Sequence, residues 1–434
     1  MSAIEDALGY VESSAVRDAT LAMMGIPSPV GEEGALARYL ADRLRAAGLR
    51  AELQEVEQGR FNVIGVLEGN GGGTSLMLGG HLDTPYRGDE EGIRERGSGY
   101  RPEPREEGEW IFGLGSSNMK GGLASALVAV EAIAKTRLRL RGDILFVGLV
   151  GETLHVPVAA YRAARYRGTG VGARALVQSG VRADAAVFAI QTLSTISAAS
   201  GGFVYFELTT GADPFSTFRR SSVAAHLPPR DALEKMLGAI PRLQARMNEF
   251  AATRRFAGQP SGYAHAIAIE GGHPFRPSKK ASFCRFYFEV GLMGWDKAED
   301  AIEEMRRAVG ALNKEMPDLG MEMQVVHSAE GAAVAKDAPV IAALSAAHAA
   351  AYGARPRITW DGWCTDSSAL TRAGIPAVNY GPQGRSRSGD PRDMIARGEH
   401  VHVGDLAAGA GVFVRLACDV CSCDQGALAA RPAV

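Results

Sequence analysis

Cysteine is scarce in this chain and forms no pairing pattern. Five cysteines among 434 residues, an odd number and mostly scattered, argue against a disulfide framework and suit a reducing cytoplasm. Three of them, Cys418, Cys421 and Cys423, crowd into CDVCSC, but no second CxxC or histidine pair lies nearby. The expected reading is the end of a C-terminal helix, not a metal knuckle. Neither sign of charge dominates: a formal net charge of −2 leaves no basic footprint, so no nucleic-acid partner is expected. Long apolar runs are missing too. The most apolar stretch, GGLASALVAVEAIAK, carries Glu131 and is too short to span a bilayer, so no membrane partner is expected. The opening residues, MSAIEDALGYVESSAVRD, lack the basic start and apolar core of a secretory signal. No internal repeat or low-complexity linker interrupts the chain.

What remains is an ordinary globular composition, 46% hydrophobic and 22% charged. The chain is longer than one core usually covers, which predicts two domains. Strands and helices alternate. EEGALARYLADRLRAAGL reads as an amphipathic helix, and RAELQEVEQ and FNVIGVLEG follow as strands. Four short apolar runs then each stop at polar residues: TSLMLGGHLDT, GDILFVGLVGET, ADAAVFAIQT and IPAVNYGPQG. Buried strands of an α/β sheet have this form. In open sheets of that class ligands bind outside the carboxyl ends of the strands, so the four tips are expected to gather in one crevice. From about residue 197 the character changes to strands such as SAASGGFVYFELTTGA, YAHAIAIEGG and ASFCRFYFEVGLM, accompanied by two long helices. This predicts a small α+β unit inserted into the α/β domain, with segments 1–196, 197–314 and 315–434.

Candidate chemistry collects at the tips. His81 and Asp83 of GGHLDT stand two apart, so their side chains face the same way. Imidazole is a common ligand of divalent metals, and a nearby carboxylate typically holds its other ring nitrogen. Glu152 of LVGETLH ends a second tip as a candidate general base, and His155 beyond it reads as packing or support. In GLGSSNMKGG a glycine-broken turn runs into a helix and carries Asn118, a neutral amide at a position that invites a carboxylate.

These stretches, together with IPSPVGEEGALARYLADRLRAAGL, DGWCTDSSALTRAGIPAVNYGPQG and EHVHVGDL, resemble the co-catalytic metallopeptidase family M20 in order and over nearly the whole chain. That family includes aminoacylases, carboxypeptidase G and succinyl-diaminopimelate desuccinylase. The resemblance implies a zinc-peptidase-like α/β catalytic domain on a mixed sheet, with an inserted α+β lid through which a homodimer is expected. It also implies site residues. In the pattern G-H-x-D, His81 matches a metal ligand and Asp83 its orienting carboxylate. The pattern D-M-K-G-G has a metal-bridging aspartate where this chain has Asn118. The paired glutamates, base then ligand, become Glu152 and Thr153 when counted from GDI, or Gly151 and Glu152 with a shift of one residue. The later carboxylate ligand falls near Gln191 and Thr192. A C-terminal ligand histidine is expected four residues before a glutamate; Ile395 stands there, with His400 and His402 just beyond Glu399. Phe215 occupies the place of a lid histidine, and the lid arginine near FYFEV is absent, Arg285 coming a few residues early.

A carboxylate between two dications screens their repulsion, whereas an amide oxygen coordinates without charge. The departures therefore point to one divalent metal ion per chain, manganese or zinc, held from among His81, Asn118, Glu152, Gln191 and His400 or His402. Glu152 would shuttle the proton of an activated water, with Asp83 in support. Arg276 and Arg285 are candidates for binding an aromatic carboxylate. The expected reaction is hydrolysis of a C–N bond in an unusual small molecule, with replacement of an aromatic amino group by hydroxyl as the leading reading. A conventional N-acyl-amino-acid amidohydrolase and a metal-free binding relative are the alternatives.

Overall fold

Alternation within the apolar runs sorts their side chains to two faces of one sheet. In the strand Leu76–His81, Leu76 and Leu78 enter the larger core and Met77 a second one. In Ile144–Leu149, Ile144 and Phe146 go one way, and Leu145, Val147 and Leu149 the other. Successive strand residues point to opposite faces, so a strand apolar at every position must be covered on both.

The computed structural model describes residues 3–90, 92–93, 96–136, 138–158, 167–192, 194–213, 230–360, 362–381, 387 and 398–425. The chain divides into two compact units. The larger comprises Met1–Ser200, Ala332–Asp361 and Thr365–Val434, and the smaller Gly201–Gly331 and Gly362–Cys364.

In the larger unit, an eight-stranded sheet runs in the order Arg50–Glu57, Arg60–Leu67, Ile144–Leu149, Leu76–His81, Ala185–Phe188, Ala377–Asn379, Ile196–Ser197, Ile358–Thr359. The first two pair antiparallel, and Arg60–Leu67 is antiparallel to Ile144–Leu149, so the sheet is mixed. The four expected runs are parallel neighbours at its centre, and their carboxyl ends share one edge. One face is filled from the helices Ser13–Met24, Gly121–Lys135, Pro339–Tyr352 and Val403–Ser422. Ala173, Leu176 and Leu370 from two shorter helices cover the other. A Cβ on Gly122 would lie 1.8 Å from the Ala189 carbonyl oxygen. The second glycine of MKGG thus lets its helix seat against the chain leaving Ala185–Phe188. Cys418 and Cys421 are buried free thiols on the C-terminal helix, as expected. Among the described residues, no helix is long and apolar enough to cross a membrane.

The smaller unit is an antiparallel sheet in the order Ala264–Gly271, Phe283–Leu292, Gly202–Gly211, Glu322–Ala329. Val204, Phe206 and Leu208, alternate residues of one strand, pack with Met236, Leu243, Met305 and Leu312 of the helices Ala232–Thr253 and Ala298–Glu315. The first helix opens with a reciprocal cap. Asp231 accepts from the Glu234 amide (2.8 Å), and Glu234 accepts from the Asp231 amide (2.9 Å). The unit extends to Gly331 rather than ending at 314, because Glu322–Ala329 is hydrogen-bonded along Gly202–Gly211 and belongs to this sheet. At the opposite margin, Ala264–Gly271 is an edge strand with Ile267 49% and Ile269 43% exposed.

Candidate active site

The four parallel strand ends close on a cavity of about 10 Å³. Gly80 and His81, Glu152, Phe188 and Ile190, and Asn379 come one group from each end, joined by Met119, Thr365 and Asp366. A volume of this size holds about one water-sized sphere. The expectation that the tips gather in one place is met, and His81 (1% exposed) and Glu152 (7%) are both buried there.

His81 is fixed from two sides. Its Nδ1 donates to the backbone carbonyl of Asp83 (3.0 Å), and its Nε2 lies 2.9 Å from Asn118 Oδ1 and 3.7 Å from a Glu152 carboxylate oxygen. The expected orienting carboxylate is thus replaced by a carbonyl. The Asp83 carboxylate instead accepts the amides of Glu152 (3.0 Å) and Thr153 (2.9 Å), and so clamps the chain that carries Glu152. Its nearer approach to His81 Nδ1 is 3.7 Å, beyond hydrogen-bond length.

Asn118 is set by the turn Ser116–Lys120, entered through Gly115 at φ 82°. One oxygen of Glu399 accepts from the Asn118 amide (2.9 Å), the Ser117 amide (3.1 Å) and the Ser117 hydroxyl (3.2 Å), which pins the turn. Beside it, the His81 amide donates to the Met119 sulfur at 3.1 Å. Gly80 makes room, since a Cβ there would lie 1.8 Å from the Met119 methyl. Below the site, Asn62 Oδ1 accepts from the Val150 amide (3.0 Å), holding the end of the strand that leads to Glu152.

Burial raises the Glu152 carboxyl to about 7; His81 opposes this rise and Asp83 adds to it. Burial acts to lower the His81 imidazole, but the Glu152, Asp83 and Asp366 carboxylates and the Asn118 hydrogen bond outweigh it and push it up to about 9. Asp366 is held well above the usual carboxylate range by burial and by Glu152.

These residues fit a single cation. With Nδ1 committed as a donor, Nε2 turns toward an amide oxygen at 2.9 Å, an arrangement satisfied by a proton on Nε2 or by a positive ion that both atoms coordinate. Donors 2.9 and 3.7 Å apart match the spacing that metal–ligand bonds of about 2.1 Å produce around one centre. Among the described residues no group of three or more His, Cys, Asp or Glu side chains could hold an ion, so the set closes only with the neutral Asn118 oxygen.

Of the expected ligands, Asn118 reaches His81 without lining the cavity, and Gln191 and His400 are not brought to it. Phe188 and Ile190 line it and Gln191 does not; the strand ends at Phe188, so Gln191 lies in the connection that follows it. His400 pairs with Phe112 in a small separate sheet and stacks on that ring at 5.4 Å. Its Nδ1 donates to the Gly398 carbonyl (2.9 Å), and its Nε2 accepts the Arg387 amide (3.4 Å), so both nitrogens are engaged. His402 caps the C-terminal helix, accepting from the Gly404 amide (3.1 Å), and its Nε2 lies 3.1 Å from Glu109. Arg276 and Arg285 belong to the smaller unit. Arg276 is exposed over the Phe275 ring at 5.4 Å, while Arg285 lies over Phe283 at 5.1 Å and 3.6 Å from a Glu207 carboxylate oxygen. Phe215 and Ile395 lie outside the described residues. Asp366, Asn379 and Glu399 were not anticipated as site residues. The one available signal was a carboxylate in CTDSSAL, directly ahead of a helix.

Known proteins show the same architecture. The family profile described as peptidase family M20/M25/M40 matches residues 77–419. An N-formyl-4-amino-5-aminomethyl-2-methylpyrimidine deformylase of Halalkalibacterium halodurans is 24% identical over 414 residues, covering 88% of this chain and 90% of the relative. Among solved structures, an M20 family metallo-carboxypeptidase from Sulfolobus solfataricus superimposes with a TM-score of 0.70 at 13% identity, over 94% of this chain and 99% of that one. The di-peptidase Dug1p of Saccharomyces cerevisiae gives 0.72 at 10% identity, over 96% and 99%. Identities this low establish the shared fold alone.

Proposed function

Because the chain belongs to peptidase family M20/M25/M40 and is a hydrolase, we propose that it cleaves a C–N bond in a small molecule with the help of one divalent cation, Mn²⁺ or Zn²⁺. The leading substrate class is an aromatic amine of the 5-nitroanthranilate type, whose ring amino group is exchanged for hydroxyl. The observation that carries the reading is the meeting of His81 Nε2 with Asn118 Oδ1 at 2.9 Å and with a Glu152 carboxylate oxygen at 3.7 Å, where His81 and Glu152 line a small cavity at four strand ends.

His81 and Asn118 would hold the ion, with Glu152 beside it. Such an ion, when bound, makes a water molecule acidic enough to supply a nucleophile near neutral pH. The protein's own part is proton transfer and placement. Glu152 takes the proton of the attacking water and returns it to the departing nitrogen, as a buried carboxyl beside the reacting atoms can do. Asp83 fixes Glu152 by holding its amide and that of Thr153. Met119, Phe188 and Ile190 contribute the apolar part of the wall around Glu152.

A second reading has specific support. The deformylase relative, matched along 90% of its length, acts on a formamide carried by an aminopyrimidine, so an N-formyl or N-acyl amide of a heteroaromatic amine is the alternative substrate class. One panel separates them. Protein supplemented with Mn²⁺ or Zn²⁺ is offered aromatic amines and N-formyl or N-acyl amides, and ammonia, formate and free acid are measured. Ammonia from the ring amines is the expected result, and formate or acid release would favour the second reading. No metal-dependent turnover of either class would contradict both.

A further inference from the structure

The cavity wall contains hydrogen-bond acceptors that have no donor. Asp366 is 3% exposed and lines the cavity, and neither of its carboxylate oxygens has a hydrogen-bond partner. Asn379, 2% exposed, lines the same cavity, and its Oδ1 is likewise unpartnered. The amide nitrogen of Asn379 donates to the Thr365 hydroxyl (3.1 Å) and the Ser367 hydroxyl (3.3 Å), which anchors that end of the group and leaves the oxygen over. Folded proteins leave buried polar atoms unmatched only rarely, and each case calls for a water, an ion or a reacting group.

The bland explanation for Asp366 fails. It occupies the position before the helix Ser367–Arg372, where aspartate ordinarily accepts amides of the first turn. Here the side chain makes no capping bond. Asp83, the other carboxylate nearby, differs in that both of its oxygens already accept backbone amides. Glu152 and Asp366 are therefore the two buried carboxylates facing this cavity without backbone donors, and one dication balances both.

We infer that Asp366 and the Asn379 oxygen complete the cation site, with Asp366 supplying the negative charge that Asn118 does not. The inference rests on the one-cation reading above. The set becomes one imidazole with three or four oxygens, a combination suited to an ion of the Mn²⁺ class. It also leaves Glu152 free for proton transfer, because the ion no longer depends on it as a ligand.

The test is a titration of the full chain with Mn²⁺, following the loss of the free-ion EPR signal, together with thermal unfolding in EDTA and in excess Mn²⁺. Wild type is expected to bind one ion per chain and to unfold at higher temperature when loaded. Asp366→Asn should bind about 100-fold more weakly and Asn379→Leu about tenfold more weakly, within the range seen when metal-site partners are removed. In EDTA the order reverses: Asp366→Asn should unfold at or above the wild-type temperature, because an amide replaces a carboxylate that lacks donors. Mn²⁺ binding unchanged in Asp366→Asn overturns the inference and leaves the one-cation reading standing. A wild-type chain that takes up neither Mn²⁺ nor Zn²⁺ removes both. Should Asp366→Asn fail to fold, Asn379→Asp decides the matter. Binding tightened about tenfold by the added charge supports the site, and unchanged binding overturns it.

Discussion

Replacing Glu152 with glutamine lowers kcat by about 10²–10⁴-fold, the usual contribution of a positioned acid–base group, and leaves the bound metal in place. Glutamine keeps the size of the side chain and removes only its capacity to carry a proton. The surrounding frame does not depend on the carboxylate, since Asp83 holds residues 152 and 153 through their backbone amides. KM should change little, because the loss falls on the chemical step. The measurement pairs steady-state kinetics, on whichever compound of the panel is turned over, with metal analysis of the same preparation. Activity lost with metal retained identifies a proton carrier. If the metal departs with the carboxylate, Glu152 is a ligand instead and the proton must be carried elsewhere.

The second large effect lies beneath the site. Arg60 and Glu33 have side chains only 2% and 0% exposed and are joined by two parallel contacts of 2.9 and 2.5 Å. The same guanidinium donates to Glu57 and to the Arg167 carbonyl, both at 2.7 Å. Bidentate pairing satisfies the buried carboxylate in full. Arg60→Met leaves Glu33 buried and unmatched, and is expected to cost about 3–5 kcal/mol of stability, read from urea unfolding. Arg60→Met combined with Glu33→Leu should recover much of that loss, because two apolar groups of similar volume replace a buried ion pair at little net cost. A single variant as stable as wild type would mean that water reaches Glu33.

The sheet and its reactive edge were legible because each of the four apolar runs ended at polar residues, and strand position alone then placed His81 and Glu152 at one crevice. The role of Asp83 was half legible. Its closeness to His81 could be read from spacing, but its hydrogen bonds go to residues about seventy positions away, and no local pattern encodes that choice. Gln191 lies beyond the end of its strand at Phe188, where the two-residue alternation no longer dictates which way a side chain faces. His400 could not be judged from sequence, since its nitrogens are taken by Gly398 and Arg387 through folding of the chain around it. Asp366 stayed hidden for a different reason. An aspartate before a helix has a ready explanation as a cap, and only the absent capping bond reveals otherwise. The end of the inserted unit was set too early because pairing between Glu322–Ala329 and Gly202–Gly211 spans more than a hundred residues.

The most direct test of the single-cation site is the metal content of the purified chain, prepared without chelator and checked by equilibrium dialysis against Mn²⁺ and Zn²⁺. One tightly held divalent ion per chain, lost in His81→Ala, is the expected result. Two ions per chain, or none at any concentration that leaves the protein folded, would contradict it.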